Sequence, residues 1–234
     1  MVSLNLEFRV GSSPALAALL ALAIAAPAAA ETAAERCDKG AVIADVAACE
    51  QALADNPDDI ESRRNLAISL TQAARYEESI AAFRDVVKRQ PNDWKAHFDL
   101  ANGLGYIRRY AEAVEPIEAA IRLEPTEITV YQAATVIYSR LRRYEDAVAI
   151  TRRAADMGDA VSMYDMYRFH RYGFGTVADG GKAFKWLSLA AENGHITAMD
   201  EIAEVHAMGL LGQAVDAANA ETWQQRRQKS IDAE

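Results

Sequence analysis

Two cysteines, six prolines and twelve glycines are all that 234 residues hold of the types that cross-link, break or loosen a chain. With so few breakers and 51% hydrophobic residues, a disordered tail is excluded and a folded helical domain is expected. Positive charge is also in deficit: 25 Lys and Arg face 34 Asp and Glu, a net charge of −9, which argues against nucleic acid as a ligand. No apolar run approaches the roughly 20 residues that span a bilayer. The four histidines, His97, His170, His195 and His206, form no HExxH motif and no i, i+4 pair, so no metal is expected. GxSxG, SxxK and GxxxxGK[ST] are all missing; no nucleophile, no phosphate loop and no cofactor are therefore expected, and the chain reads as a non-enzyme.

The longest apolar run, residues 15–26, follows Arg9 and precedes Pro27 and Ala28-Ala29-Ala30. A charged lead, a short apolar core and small residues in that order mark an export signal. Cleavage is expected after Ala30, leaving a periplasmic or secreted bacterial protein with no transmembrane segment in its mature chain. Because Ala34-Glu35-Arg36 precedes Cys37, a lipoprotein site is not expected.

In an oxidising compartment Cys37 and Cys49 are expected to pair. An unbroken helix, rising about 1.5 Å per residue, would hold them roughly 18 Å apart, beyond the reach of a disulfide. The helix carrying Cys49 must then start late, capped by Asp45, with residues 38–44 folding back. Two independent thiols are the alternative.

What the chain has in quantity is repetition. Arg-Tyr recurs at Arg75-Tyr76, Arg109-Tyr110 and Arg143-Tyr144, and proline at Pro57, Pro91 and Pro125, all with a 34-residue period. Each such unit is a helical hairpin that buries its apolar face only by stacking on its neighbours. Apolar or small residues keep the same period: Leu66, Ala67, Leu70, Ser79, Phe83 and Val86 become Leu100, Ala101, Leu104, Ala113, Ile117 and Ala120. They then become Ala134, Thr135, Tyr138, Ala147, Thr151 and Ala154. Over residues 60–159 the sequence resembles the tetratricopeptide repeat family, although Asp159 stands where a further proline is expected. Pro116 falls inside a predicted helix, where its missing N–H bends the helix unless it lies in the first turn.

Beyond Gly158 the period lengthens to 36: Gly158 matches Gly194, Met163 matches Met199, His170 matches His206 and Gly173 matches Gly209. The run Tyr172-Gly173-Phe174-Gly175-Thr176-Val177-Ala178-Asp179, with Lys182-Ala183, Trp186, Ala190-Ala191 and Gly194-His195, resembles the Sel1-like repeat family. Its GxGxxA spacing follows a helix rather than a strand, so it reads as a hairpin turn and not as a nucleotide loop. A second copy keeps Val215-Asp216, Ala220 and Trp223 but lacks the second loop glycine. Both tryptophans are expected to pack rather than stack on sugars.

The expected fold is all-α, a right-handed α-solenoid of antiparallel hairpins. Its expected segments are a signal at 1–30, a capping half-repeat with the cysteine pair at 31–59 and three tetratricopeptide repeats at 60–159. A Sel1-like repeat at 160–195 and a degenerate repeat with a polar cap helix at 196–234 complete it. The resemblance implies binding on the concave face, lined by the first helix of each repeat. The candidate groove residues are Arg64, Asn65, Lys95, Phe98, Asn102, Tyr106, Gln132 and Arg140, with Glu61, Ile68, Gln72, Asp99, Thr129, Val136 and Ser139 beside them. Some family members clamp a C-terminal carboxylate at five positions, held here by Arg64, Ile68, Asp99, Thr129 and Ala133; Asp99 would repel a carboxylate, so that mode is disfavoured. The expected role is a scaffold for protein partners of the cell envelope, bound as an extended peptide. A peptidoglycan- or glycan-associated module is the alternative, and a partner-dependent enzyme subunit the next.

Overall fold

The computed structural model describes residues 31–39 and 45–232, so the expected signal segment and most of the expected fold-back lie outside the described residues. Among the described residues there are twelve helices and no strand. They are α1 (Ala33–Lys39), α2 (Val46–Asp55), α3 (Ile60–Gln72), α4 (Tyr76–Arg89), α5 (Trp94–Tyr106) and α6 (Tyr110–Leu123), then α7 (Ile128–Arg140), α8 (Tyr144–Asp156), α9 (Ala160–Tyr172), α10 (Gly180–Glu192), α11 (Ile196–Met208) and α12 (Ala217–Ile231). Each odd-numbered helix packs on the next as a hairpin, and each hairpin packs on its neighbour. The result is an α-solenoid. Odd helices also meet one another, α1 with α3 and α5 with α7, which sets them along one face.

Local chemistry explains where the helices begin. The odd helices α3, α5, α7 and α9 start behind Asp59, Asp93, Glu127 and Asp159, whose carboxylates accept from backbone N–H groups of the first turn, satisfying donors that the helix itself leaves open. The even helices α4, α6 and α8 start at Arg75, Arg109 and Arg143 with no side-chain cap. Each guanidinium instead meets the acid three residues on: Glu78 at 2.5 Å, Glu112 at 2.6 Å and Asp146 at 2.7 Å. This is the use of the recurring arginine. The recurring prolines sit in turns whose carbonyls are claimed six residues later, by Arg63 Nη2 at Pro57, His97 Nε2 at Pro91 (2.9 Å) and Tyr131 OH at Pro125 (2.9 Å).

Small residues let the paired helices close up. Ala67, Ala101, Ala113, Ala134 and Ala147 are fully buried, and hydroxyls meet across the hairpins at Thr71–Ser79 (2.6 Å) and Thr135–Thr151 (2.7 Å). Ile80, Phe83, Leu104, Ile117, Tyr131, Tyr167 and Leu187 fill the space between, each contributing about 1.5 to 3 kcal/mol by leaving water. Trp186 and Trp223 are buried in the same core. α6 runs from Tyr110 to Leu123 without a break through the buried Pro116.

At the N-terminal end Cys37 and Cys49 form a disulfide with a Cα separation of 4.6 Å. Asp45 caps α2 through Ala48 N at 2.9 Å, so the helix carrying Cys49 does begin late. Cys37 lies on α1, a helix that the sequence reading did not foresee. Its signal is a capping box: Glu35 N donates to Thr32 Oγ1 and Thr32 N to the Glu35 carboxylate, each side chain satisfying the other's backbone.

The hairpin turns carry backbone strain where glycine is absent. Ala74, Arg108 and Arg142 have φ of 59°, 64° and 58°, whereas the left-handed position in the α8–α9 turn, which joins two hairpins, is taken by Gly158 at 96°. A left-handed conformation costs an L-residue about 1 to 2 kcal/mol, partly offset by the greater chain entropy of glycine. Ala74→Gly is therefore expected to raise stability by about 0.5 to 1 kcal/mol in denaturant titration; a loss would show that the turn is relaxed as it stands.

Candidate functional site

The face built by the odd helices holds two hollows with exposed apolar walls; a third, between α1 and α3, measures about 320 Å³ and is lined by Ala34 and by acidic and polar side chains from Glu35 to Asn65. The first lies between α3 and α5, has a volume of about 290 Å³ and is lined by Ile68, Thr71, Gln72, Phe83, Asp99, Asn102, Gly103 and Tyr106. The second lies between α7 and α9, measures about 390 Å³ and is lined by Thr135, Val136, Ser139, Arg140, Tyr144, Asp165, Arg168, Phe169 and Phe174. Tyr106, Val136 and Phe174 are exposed there despite their apolar surface. Tyr76 leans on Tyr106 with ring centroids 6.2 Å apart, and Tyr144 stacks on Phe174 at 5.3 Å, so each hollow has an aromatic wall held by a second ring.

Half-buried aspartates lie on both floors. Burial pushes the Asp99 carboxyl up to about 6; Arg64 opposes the shift, while Asp93 and Glu61 add to it. Burial likewise raises Asp165, against the pull of Arg168 at 3.5 Å.

The expected groove residues divide into three sets. Asn102 and Tyr106 line the first hollow and Arg140 the second. Lys95 and Phe98 lie beside them on α5 with Trp94: Lys95 Nζ is 5.7 Å from the Trp94 ring and Phe98 is 6.1 Å from it. Arg64, Asn65 and Gln132 are engaged within the protein. Arg64 pairs with Asp93 at 2.9 Å and Glu61 at 3.4 Å, and its Nε lies 2.9 Å from Asp99 without aiming its hydrogen at the oxygen. Asn65 is buried and reaches Asp38 of α1 at 3.5 Å. Gln132 donates to Asp159, the cap of α9, at 3.0 Å. Arg64 and Gln132 thus lock successive repeats in register. Asp165, Arg168, Phe169 and Phe174 were missed because the expected groove stopped with the third repeat, and Thr71, Phe83, Gly103, Thr135 and Tyr144 because it counted only selected inner positions of the first helices.

Among the described residues no three His, Cys, Asp or Glu side chains gather as a metal site, and no helix is long and apolar enough to cross a membrane.

Residues 46–93 and 64–128 match the family model described as tetratricopeptide repeat. A Sel1 repeat protein from Oxalobacter formigenes superposes with a TM-score of 0.53 at 22% identity, covering 87% of this chain and 90% of its own. A double mutant of MamA RS-1 gives 0.56 at 17%, covering 63% and 82%, and MamA residues 41 to the end from Desulfovibrio magneticus RS-1 gives 0.53 at 14%, covering 76% and 97%. These likenesses concern the fold. No curated protein matches the sequence. On these matches residues 46–128 carry tetratricopeptide repeats, and the hairpins beyond them continue the same α-solenoid fold.

Proposed function

We propose that this chain is an exported scaffold of the bacterial cell envelope, which holds a protein partner as an extended peptide along the face of its odd helices. Repeat solenoids of this type mediate protein–protein contacts and generally carry no chemistry of their own. The observation that carries the reading is the pair of open hollows, each with an exposed apolar wall beside polar side chains: Asn102 and Thr71 in one, Ser139 and Arg140 in the other. Apolar anchors give a peptide its affinity, and side-chain amides and hydroxyls take its backbone bonds. The apolar run at 15–26 and the closed Cys37–Cys49 bond support export to an oxidising compartment.

Capture from an envelope extract with the tagged full chain, beside a variant carrying Asn102→Ala, Tyr106→Ala and Arg140→Ala, tests this. Both must first show the same helical circular dichroism. A partner protein retained by the parent and depleted about tenfold or more on the variant is the expected result. Equal recovery on both would move the working surface away from these hollows.

A further inference from the structure

The two hollows are copies of one site. The caps of α3 and α7, Asp59 and Glu127, are 68 residues apart, and those of α5 and α9, Asp93 and Asp159, are 66 apart. In that register Ile68 corresponds to Val136, Thr71 to Ser139 and Asp99 to Asp165, and all six line the hollows. An aliphatic wall, a hydroxyl and a floor aspartate therefore recur together. The interface between them, α5 against α7, breaks the pattern: Ala133 stands at the aspartate's position and Gly105 at the hydroxyl's. The shared elements thus occur at two seams, with one plain seam between them.

The copies differ in charge. Where the first hollow has Gln72 and Asn102, the second has Arg140 and Arg168. Arg168 is paired with Asp165 at 3.5 Å, but Arg140 is exposed and makes no ion pair among the described residues. On a chain of net charge −9 an uncompensated guanidinium beside Val136 and Phe174 favours one chemistry, an acidic side chain next to an apolar one.

Resting on the groove reading above, we infer that the ligand is an extended peptide with two apolar anchors, one per hollow, and an acidic residue adjoining the anchor that fills the Arg140 hollow. Spacing follows from geometry. Neighbouring helices pack roughly 10 Å apart, and two steps separate the hollows, so the anchors stand roughly 20 Å apart. At about 3.3 Å per extended residue, that is about six residues along the peptide. Two weak anchors on one strand reinforce each other through effective concentration, which suits hollows of 290 and 390 Å³, each holding on the order of ten waters.

The test is selection of linear peptides from a random display library on the full chain, with the Asn102→Ala, Tyr106→Ala, Arg140→Ala variant as counter-selection. The expected consensus has two apolar positions about six residues apart with Asp or Glu beside one of them. On a synthetic consensus peptide, Arg140→Gln is expected to weaken binding about tenfold, and to have no further effect once the peptide's acid is changed to its amide. Tyr106→Ala is expected to weaken the two-anchor peptide and leave a peptide cut down to the acidic anchor unaffected. A consensus with a single anchor, or with no acidic preference, overturns this inference while leaving the groove in place. No peptide preferring the parent over the variant overturns both.

Discussion

Gly175→Ala is expected to cost about 3 kcal/mol and to deform the second hollow. A Cβ at Gly175 would stand 2.3 Å from the carbonyl carbon and oxygen of Tyr144 and 2.7 Å from Glu145 N, and φ there is +66°. These are backbone atoms in the first turn of α8 and cannot swing aside, so the loop itself must lift. Lifting it pulls Phe174 off Tyr144, its 5.3 Å stacking partner, and both rings line the hollow. Gly158→Ala is the control: φ is +96°, but nothing lies within 4 Å of the added carbon, so it should carry only the backbone penalty, about 1 to 2 kcal/mol. Equal destabilisation of the two variants in urea titration would remove the close approach as the cause.

The second Sel1-like copy shows why that glycine is local in its importance. Leu211 occupies the matching place, 36 residues on, with φ of +53°. Its loop faces Gly180 at the start of α10, where an added Cβ would stand 3.6 Å from Leu211, an ordinary contact. The loop frame is nonetheless retained: Asp179 N donates to His170 O at 2.8 Å and Asp216 N to His206 O at 2.7 Å, and each aspartate caps the helix that follows.

Most of the hairpin stack was legible because period 34 and the small residues Ala67, Ala101 and Thr135 report the same constraint, close approach of paired helices. The lateness of α2 was legible for a different reason: the rise of a helix forbids the Cys37–Cys49 bond otherwise. α1 was not, since seven residues carry too little periodicity to register, and only the Thr32–Glu35 pair announced it. Its presence buries Asn65, which the family register alone placed in the open. Half of the candidate site was missed for a related reason. The unit from α7 to α9 is two residues shorter than its predecessors, as the caps Glu127 and Asp159 show. A search at constant period therefore compares Asp99 with Tyr167 rather than with Asp165. Nor does sequence separate a groove cation from a tie between repeats: Arg64 and Arg140 both sit on odd helices, and only the acids around Arg64 distinguish them.

One carboxylate ties α9 to α11, and its removal is expected to cost about 2 to 4 kcal/mol. Glu201 of α11 accepts hydrogen bonds from Tyr164 OH on one oxygen, and from Tyr167 OH and Arg171 Nη1 on the other, the last at 3.1 Å. Tyr164 also stacks on His195, the cap of α11, with ring centroids 4.4 Å apart. Glu201→Ala would leave two phenols and a guanidinium without their acceptor. Because the three donors share it, Glu201→Ala and Tyr167→Phe should be strongly non-additive, the double variant costing less than the sum. Alkaline titration gives a second signature. Burial first, and then the bond to Glu201, raise both tyrosine pKa values well above the usual range. Groups whose folded pKa is raised stabilise the fold below their unfolded pKa, about 10 for tyrosine, and lose that contribution as pH rises beyond it. The parent should therefore lose stability above about pH 10 more steeply than Glu201→Ala does. Parallel pH curves for the two proteins would mean that the phenols do not depend on this carboxylate, and the link between α9 and α11 would then rest on packing alone.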